Sequence, residues 1–249
     1  MDGYLPETYG DAFVDVYDEW YGNVGDPFHA VPRLVELAGG GPVLELGVGT
    51  GRLAIPLVRH QPVWGVDASE AMLSRLAARP GGDAVVAVLG DMRDPAAVLP
   101  ADRPAFAVVV VGFNTFFMLT SEGAQRDCLA SVAGLLAPGG VFVVEAFVPG
   151  ENLPKTTNRV VEPRTVALDH VVFNAVVHDP VEQVISHQLV EIRESGIKLR
   201  PSVLRYAWPA QLDEMAADAG LRLRERWAGW QGQPFDDDST EHVSVYERA

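Results

Sequence analysis

The chain has 249 residues, 48% of them hydrophobic and 21% charged, enough to bury a large core in one domain or in a domain with an insertion. Its formal net charge of −15 argues against partners recognised through phosphates, both nucleic acids and anionic membrane surfaces. The single cysteine, Cys128, rules out an intrachain disulfide and falls in a helix-like segment, where a buried, inert thiol is expected.

In chain order, Tyr9 to Tyr21 reads as one amphipathic helix, with Phe13, Tyr17, Trp20 and Tyr21 at helical spacing. A short helix over Pro32–Ala38 follows and closes at Gly39-Gly40-Gly41. Strands are then predicted at Val43–Leu46, Val63–Val66, Ala84–Leu89, Phe106–Val111 and Val141–Phe147. Helices separate them at Arg52–His60, Ser69–Ala78 and Ser121–Leu136, with Ser69 as an N-cap. Near-continuous apolar strands alternating with helices imply an α/β parallel sheet covered on both faces. Asn158 to Trp208 carries β-branched, roughly alternating runs with no long helix between them, and Asp179-Pro180 suits a turn. This predicts an antiparallel sheet inserted after the fifth strand. Pro209–Gly220 is a helix with proline at N1, and Leu221–Gly229 and His242–Glu247 are the last two strands, expected as a hairpin. The domain division expected is a cap over 1–38, a core over 39–149 and 207–249, and an insertion over 150–206. The start, MDGYLPETYG, shows neither the basic nor the apolar region of a secretory leader. The longest apolar run, Ala105 to Phe113, is too short to span a bilayer, so a cytoplasmic protein is expected. The six histidines are scattered and predict no metal site.

The chemistry concentrates at Pro42–Arg52, PVLELGVGTGR, read with Val63–Asp67, VWGVD. An apolar run containing Glu45 enters a turn with Gly47, Gly49 and Gly51, and a second apolar run ends in Asp67. Glycines let the turn take positive φ and let backbone approach a ligand closely. A carboxylate at the end of the second strand can accept from both hydroxyls of a ribose diol. A dinucleotide site needs a small residue where Arg52 stands, which disfavours a nicotinamide oxidoreductase.

With Glu45 two residues before the first glycine, the segment resembles the E/DxGxGxG motif of the class I S-adenosylmethionine-dependent methyltransferases. The resemblance implies a Rossmann-like, doubly wound, mostly parallel seven-stranded sheet. It also implies that Glu45 holds the loop and the cofactor's amino group, often through water. Asp67 and Ala68 would meet the ribose, and Asp91 and Met92 in the GDM triplet the adenine. The loop from Gly112, including Phe113, would run under the methionine portion. Tyr9 to Asp18, with the later GDMRD, resembles small-molecule methyltransferases of antibiotic pathways, nearest to those that dimethylate nucleotide-linked amino sugars. That likeness implies that Tyr9 closes over the cofactor near the sulfonium with Tyr17 close by; an aromatic face or phenol oxygen stabilises such a cation. Those enzymes place a histidine where Met118 stands here, and Met118 cannot accept a proton.

The expected activity is methyl transfer from S-adenosylmethionine to N or O of a small-molecule acceptor by in-line displacement. The alternative is a non-methylating, cyclase-type enzyme that binds the cofactor structurally. A non-catalytic binding protein is a further, weaker reading, because the glycine loop, Asp67 and Asp91 are intact. The loop after the fourth strand also lacks the N/D-PP-Y/F pattern used on flipped bases. Candidate proton acceptors are His170, His178, His187, His242 and Glu145. His242 and Glu145 stand out because strand ends and terminal loops face the cleft in this topology. Tyr9, Tyr21 and His242 are the residues expected at the reacting centre. Trp20, Tyr21, Phe116, Phe117, Glu145, Trp208 and Trp230 are expected against the acceptor, although core packing explains the aromatic residues as well. An exposed antiparallel sheet could pair with its twin, so a homodimer is an open expectation.

Overall fold

The computed structural model describes residues 1–22, 24–150, 153 and 157–249. Three helices come first: α1 (Thr8–Phe13), α2 (Tyr17–Tyr21) and α3 (Pro27–Ala38). The alternating region follows: β1 (Val43–Leu46), α4 (Ala54–Leu57), β2 (Val63–Asp67), α5 (Glu70–Ala78), β3 (Val86–Leu89), α6 (Pro95–Val98), β4 (Phe106–Val111), α7 (Glu122–Leu135) and β5 (Leu136–Phe147). Four strands come next, β6 (Asn158–Val166), β7 (His170–Asp179), β8 (Val184–Arg193) and β9 (Gly196–Arg205). The chain ends with α8 (Pro209–Asp218), β10 (Leu221–Trp227) and β11 (Glu241–Arg248).

The first sheet has seven strands in the order β10-β11-β5-β4-β1-β2-β3. β1 pairs in parallel with both β2 and β4, and β11 runs antiparallel to β5 and β10. It is the mostly parallel seven-stranded sheet expected from the sequence. The winding reverses between β1 and β4, and the crevice at such a point lies at the carboxyl ends of the strands. Apolar side chains alternate to the two faces and build one core on each. Leu44, Leu46, Phe106 and Phe142 pack under α7 and α8, while Val43, Val108 and Val143 pack under α3 and α4. No helix among the described residues is long and apolar enough to cross a membrane.

The second sheet is antiparallel, in the order β6-β7-β8-β9. Asp179 Oδ1 accepts from the N–H groups of Val181 and Glu182, which fixes the expected turn between β7 and β8. One face packs toward α1 through Val172 and Leu189, which touch Phe13 and Met72. The opposite face leaves Val161, Val177, Ile197 and Leu199 exposed. Residues 151–152 and 154–156, at the expected start of the insertion, lie outside the described residues.

Several elements differ from expectation: β3 begins at Val86 and β5 at Leu136 rather than at Ala84 and Val141, and α6 answers to no predicted helix. The Tyr9–Tyr21 helix is broken by a turn at 14–16. Arg200 takes the Ala12 carbonyl and Arg75 the Val14 carbonyl, so neither joins a continuous helical ladder. α3 begins at Pro27, five residues before Pro32, because Asp26 caps it and Pro27 occupies the first turn. α4 spans only Ala54–Leu57 of the predicted Arg52–His60.

Candidate active site

The carboxyl ends of β1 to β4, the α1–α2 segment and one face of the second sheet enclose a cavity of about 610 Å³. At its floor is the turn after β1. Gly47, Gly49 and Gly51 all have positive φ, yet the space around them differs. A Cβ on Gly49 would approach only the Tyr17 ring, at 3.9 Å, so this glycine keeps the gap between turn and tyrosine open. A Cβ on Gly47 would lie 2.4 Å from Thr115, and one on Gly51 2.3 Å from Leu76, so close packing requires both glycines.

Asp67, at the tip of β2, accepts from Gly49 N–H at 2.8 Å and from Ser69 N–H at 2.9 Å, one bond to each oxygen. A carboxylate offers about four acceptor positions, so two remain for a ligand. Burial raises its pKa, against the pull of those two N–H groups. Glu45 lies beneath the turn on β1. Burial pushes its carboxyl up to about 8, opposed by the Arg52 guanidinium. Its Oε2 is buried without a hydrogen-bond partner among the described residues.

The loop after β4 carries two non-glycine residues with positive φ, Phe113 and Asn114. Such backbone persists only when its surroundings hold it. Phe113 N–H donates to Glu145 Oε2 at 2.6 Å, Asn114 N–H to the Glu145 carbonyl at 3.0 Å, and Phe147 N–H to Asn114 Oδ1 at 2.7 Å. Arg52 braces the same region, donating to the Val24 carbonyl at 2.7 Å with its guanidinium 5.8 Å from the Phe113 ring centre.

The α1–α2 segment is tied down from two sides. Asp18 accepts from Thr50 Oγ1 at 2.6 Å and from Arg75 Nε at 2.7 Å, and Asp11 accepts from Ser69 Oγ at 2.6 Å. From the second sheet, Arg200 holds both oxygens of Asp15 and also bonds Glu191. Tyr9 stacks on Phe13 with ring centres 4.5 Å apart and meets Tyr17 edge-on. Burial raises the Tyr9 phenol well above its ordinary pKa and pushes Tyr17 up to about 12, so both remain neutral donors near neutral pH.

Residues 43–140 match the family described as methyltransferase domain. Over its whole length the chain is similar to the CcbJ methyltransferase of Streptomyces caelestis, at 41% identity and a TM-score of 0.88, covering 99% of this chain and 100% of that one. The chain belongs to the class I S-adenosylmethionine-dependent methyltransferases. An uncharacterized methyltransferase of Geobacillus kaustophilus is 33% identical over 144 residues, which cover 57% of this chain and 63% of that protein, less than two thirds of its length. The sugar N-methyltransferase KedS8 of Streptoalloteichus shares the fold, at 23% identity and a TM-score of 0.66, covering 100% of this chain and 99% of that one.

The residues present fit the cofactor of this family. Gly49 leaves the floor open, Asp67 keeps acceptor positions, and Glu45 has a buried oxygen in need of a donor. Of the cofactor residues expected in this methyltransferase, Tyr9, Tyr17, Gly47, Gly49, Asp67, Ala68, Asp91, Met92 and Phe113 line the cavity. Glu45 and Gly51 do not; they lie under the turn, one buried on β1 and the other packed on Leu76. Tyr21 lines the cavity, whereas six other expected acceptor contacts do not. Phe116 and Phe117 are fully buried against Phe142 and Phe147. Trp230 is sealed into the core on the α3 side, and Trp208 precedes α8 at the surface. Trp20 packs behind the cavity wall under Arg164, and Glu145 is occupied in holding the β4 loop.

His242, expected at the reacting centre, is also elsewhere. It sits at the correct end of β11, but its side chain is fully buried beside Phe235, with Nδ1 2.8 Å from Ser244 Oγ. Burial lowers its pKa to about 3, with the Arg226 charge adding to the shift. His178 is buried against Tyr206, and His170 is paired with Asp169 on the outer turn of the second sheet. Of these histidines only His187 lines the cavity. Sequence reasoning missed Tyr4, Arg164, Asn174 and Ser202, which also line it. The alternation on the second sheet announced such a face without saying which of its two faces would look inward.

Proposed function

We propose that this chain transfers the methyl group of S-adenosylmethionine to a nitrogen or oxygen of a small-molecule acceptor. The observation that carries the reading is the cavity itself: the Gly49–Asp67–Asp91 wall and the Asn174–His187–Ser202 wall border one space. When bound, S-adenosylmethionine supplies an electrophilic methyl group on a cationic sulfur. Asp67 would hold the ribose diol, Asp91 and Met92 the adenine, and Glu45 the amino-group end. Tyr9 and Tyr17 present neutral phenols and ring faces, which favour a cation without taking a proton from it. The α1–α2 segment covers the site and excludes water, while the second sheet shapes the acceptor side. In this reading the cap over 1–38 closes the site, the core over 39–149 and 207–249 holds the cofactor, and the insertion over 150–206 selects the acceptor. KedS8 is named for methylation of a sugar nitrogen, and an acceptor of that size and polarity suits the mixed polar and apolar lining. A second copy of the chain is the partner proposed for the exposed outer face of the second sheet, with sedimentation as the check.

The test is incubation with methyl-labelled S-adenosylmethionine and a panel of amino sugars and hydroxylated polyketides. Label recovered in a small molecule, with matching release of S-adenosylhomocysteine, supports the reading. Label recovered only in RNA or protein, or in no acceptor, overturns it.

A further inference from the structure

His187 on β8 and Asn174 on β7 face the cavity from the wall opposite the glycine turn, with His187 Nδ1 3.4 Å from Asn174 Oδ1. From this juxtaposition we infer that His187, oriented by Asn174, takes the proton that the acceptor's nitrogen or oxygen loses on methylation; the inference rests on the methyl-transfer reading above. The sheet register creates the pair. His187 stands opposite Val176 on β7 and Ser202 on β9, and Asn174 stands opposite Leu189. Asn174 is therefore the diagonal neighbour of His187 on the same face. An amide oxygen only accepts, so Nδ1 carries the proton and Nε2 keeps its lone pair.

The other ionisable groups of the cavity are committed elsewhere. Burial holds the phenols of Tyr4, Tyr9 and Tyr17 protonated, and the Tyr21 hydroxyl accepts from Arg164. Both oxygens of Asp67 bind backbone N–H groups, and Asp91 accepts from Arg93 N–H at the end of β3. Arg93 is paired with Asp127, and a guanidinium is no base. Met118 and Leu119, on the loop after β4, offer no proton acceptor. Around His187, burial lowers the imidazole pKa and Glu162, on β6 beyond β7, opposes the shift. Arg164 lies in the bulge of β6, and Glu191, on the inward face of β8, is held by Arg193 and Arg200. The imidazole is thus neutral and able to accept at neutral pH. As the acceptor's lone pair forms the new bond to the methyl carbon, the carbon–sulfur bond breaks with its electrons on sulfur. The acceptor's proton passes to Nε2, and the imidazolium returns it to water.

Two measurements decide the matter. The first needs no acceptor: nitrogen-15 spectra of histidine-labelled protein, alone and with S-adenosylhomocysteine, report the tautomer. The proposal requires His187 with Nδ1 protonated and Nε2 bare, and a mixture of tautomers in Asn174→Leu. A proton on Nε2 in the native protein overturns it, whatever the activity. The second uses the amino sugar or polyketide that the wild type methylates. His187→Gln should lower kcat by about 10²-fold. It should also remove the acid limb of the pH profile and leave the Kd for S-adenosylhomocysteine unchanged. A variant with kcat within about threefold and an unaltered pH profile overturns the proposal while leaving the methyltransferase reading intact. A wild type that methylates nothing counts against that reading instead.

Discussion

Replacing Asp67 by alanine separates what the residue does for the fold from what it does for the cofactor. Its carboxylate is the partner of two backbone donors, Gly49 N–H at 2.8 Å and Ser69 N–H at 2.9 Å. Gly49 lines the cavity, where water can replace the lost acceptor at a cost of about 1 kcal/mol, whereas Ser69 is buried and its stranded N–H costs about 1–2 kcal/mol, so the unliganded protein loses about 2–3 kcal/mol. The cofactor loses more. Two hydroxyls bound to a charged acceptor contribute about 1.5–3 kcal/mol each, and water in the vacated space recovers part of that. The net loss of about 3–4 kcal/mol weakens binding roughly 10²- to 10³-fold. Asp67→Asn keeps the shape and one acceptor oxygen and should fall between the two. Calorimetric titration with S-adenosylhomocysteine and denaturant unfolding of the unliganded protein, run on all three proteins, separate the effects. An alanine variant that binds within about twofold of wild type would refute the assignment of Asp67 to the ribose.

Three other outcomes follow from the same geometry. Glu45 has its pKa raised by burial from 4.5 to about 8, so the stability it contributes is complete below the unfolded value and is lost as pH rises through the folded one. Wild type should therefore lose up to about 1.4 kcal/mol per pH unit relative to Glu45→Gln across that window, and parallel stability curves would contradict this. Arg200→Met removes a guanidinium 1% exposed that joins Asp15 to Glu191, and denaturant titration should show a loss of about 3–5 kcal/mol, partly restored by adding Glu191→Gln. A loss below about 1 kcal/mol would mean the network is not coupled to folding. Tyr9→Phe removes a neutral phenol from the cavity and should reduce kcat more than cofactor affinity; a selective loss of affinity would place its hydroxyl on the cofactor away from the reacting centre.

The glycine-turn side of the cavity is legible in the sequence because its signals are local. Glycines, the acid at the end of β2 and the apolar runs lie within 43–67, and the parallel pairing of β1 with β2 follows from them. The break between α1 and α2 was not legible, because the donors that take its carbonyls, Arg200 and Arg75, come from 188 and 61 residues away. In the sequence Arg52 marks only an obstacle to a dinucleotide, and its bond to the Val24 carbonyl depends on how the first helices fold back. Phe116, Phe117 and Trp230 show the limit of reading aromatics from sequence, since the same residue types serve a core and a pocket equally well. His242 stands at the end of the sheet that the sequence predicts, opposite Ala146 near the end of β5, but period-two alternation sends its side chain into the α8 side of the core with Ser244 and Tyr246. The same alternation on the second sheet brings His187 inward, and nothing local in the sequence fixes that choice.

Calorimetric titration of the purified protein with S-adenosylmethionine, S-adenosylhomocysteine and NAD decides what the glycine turn and Asp67 hold. Both sulfur compounds should bind at about micromolar Kd, with binding lost together in Asp67→Ala, and NAD should not bind. Binding of NAD alone would contradict the account, because it would mean that the turn with Arg52 in the third glycine's place accepts a pyrophosphate after all.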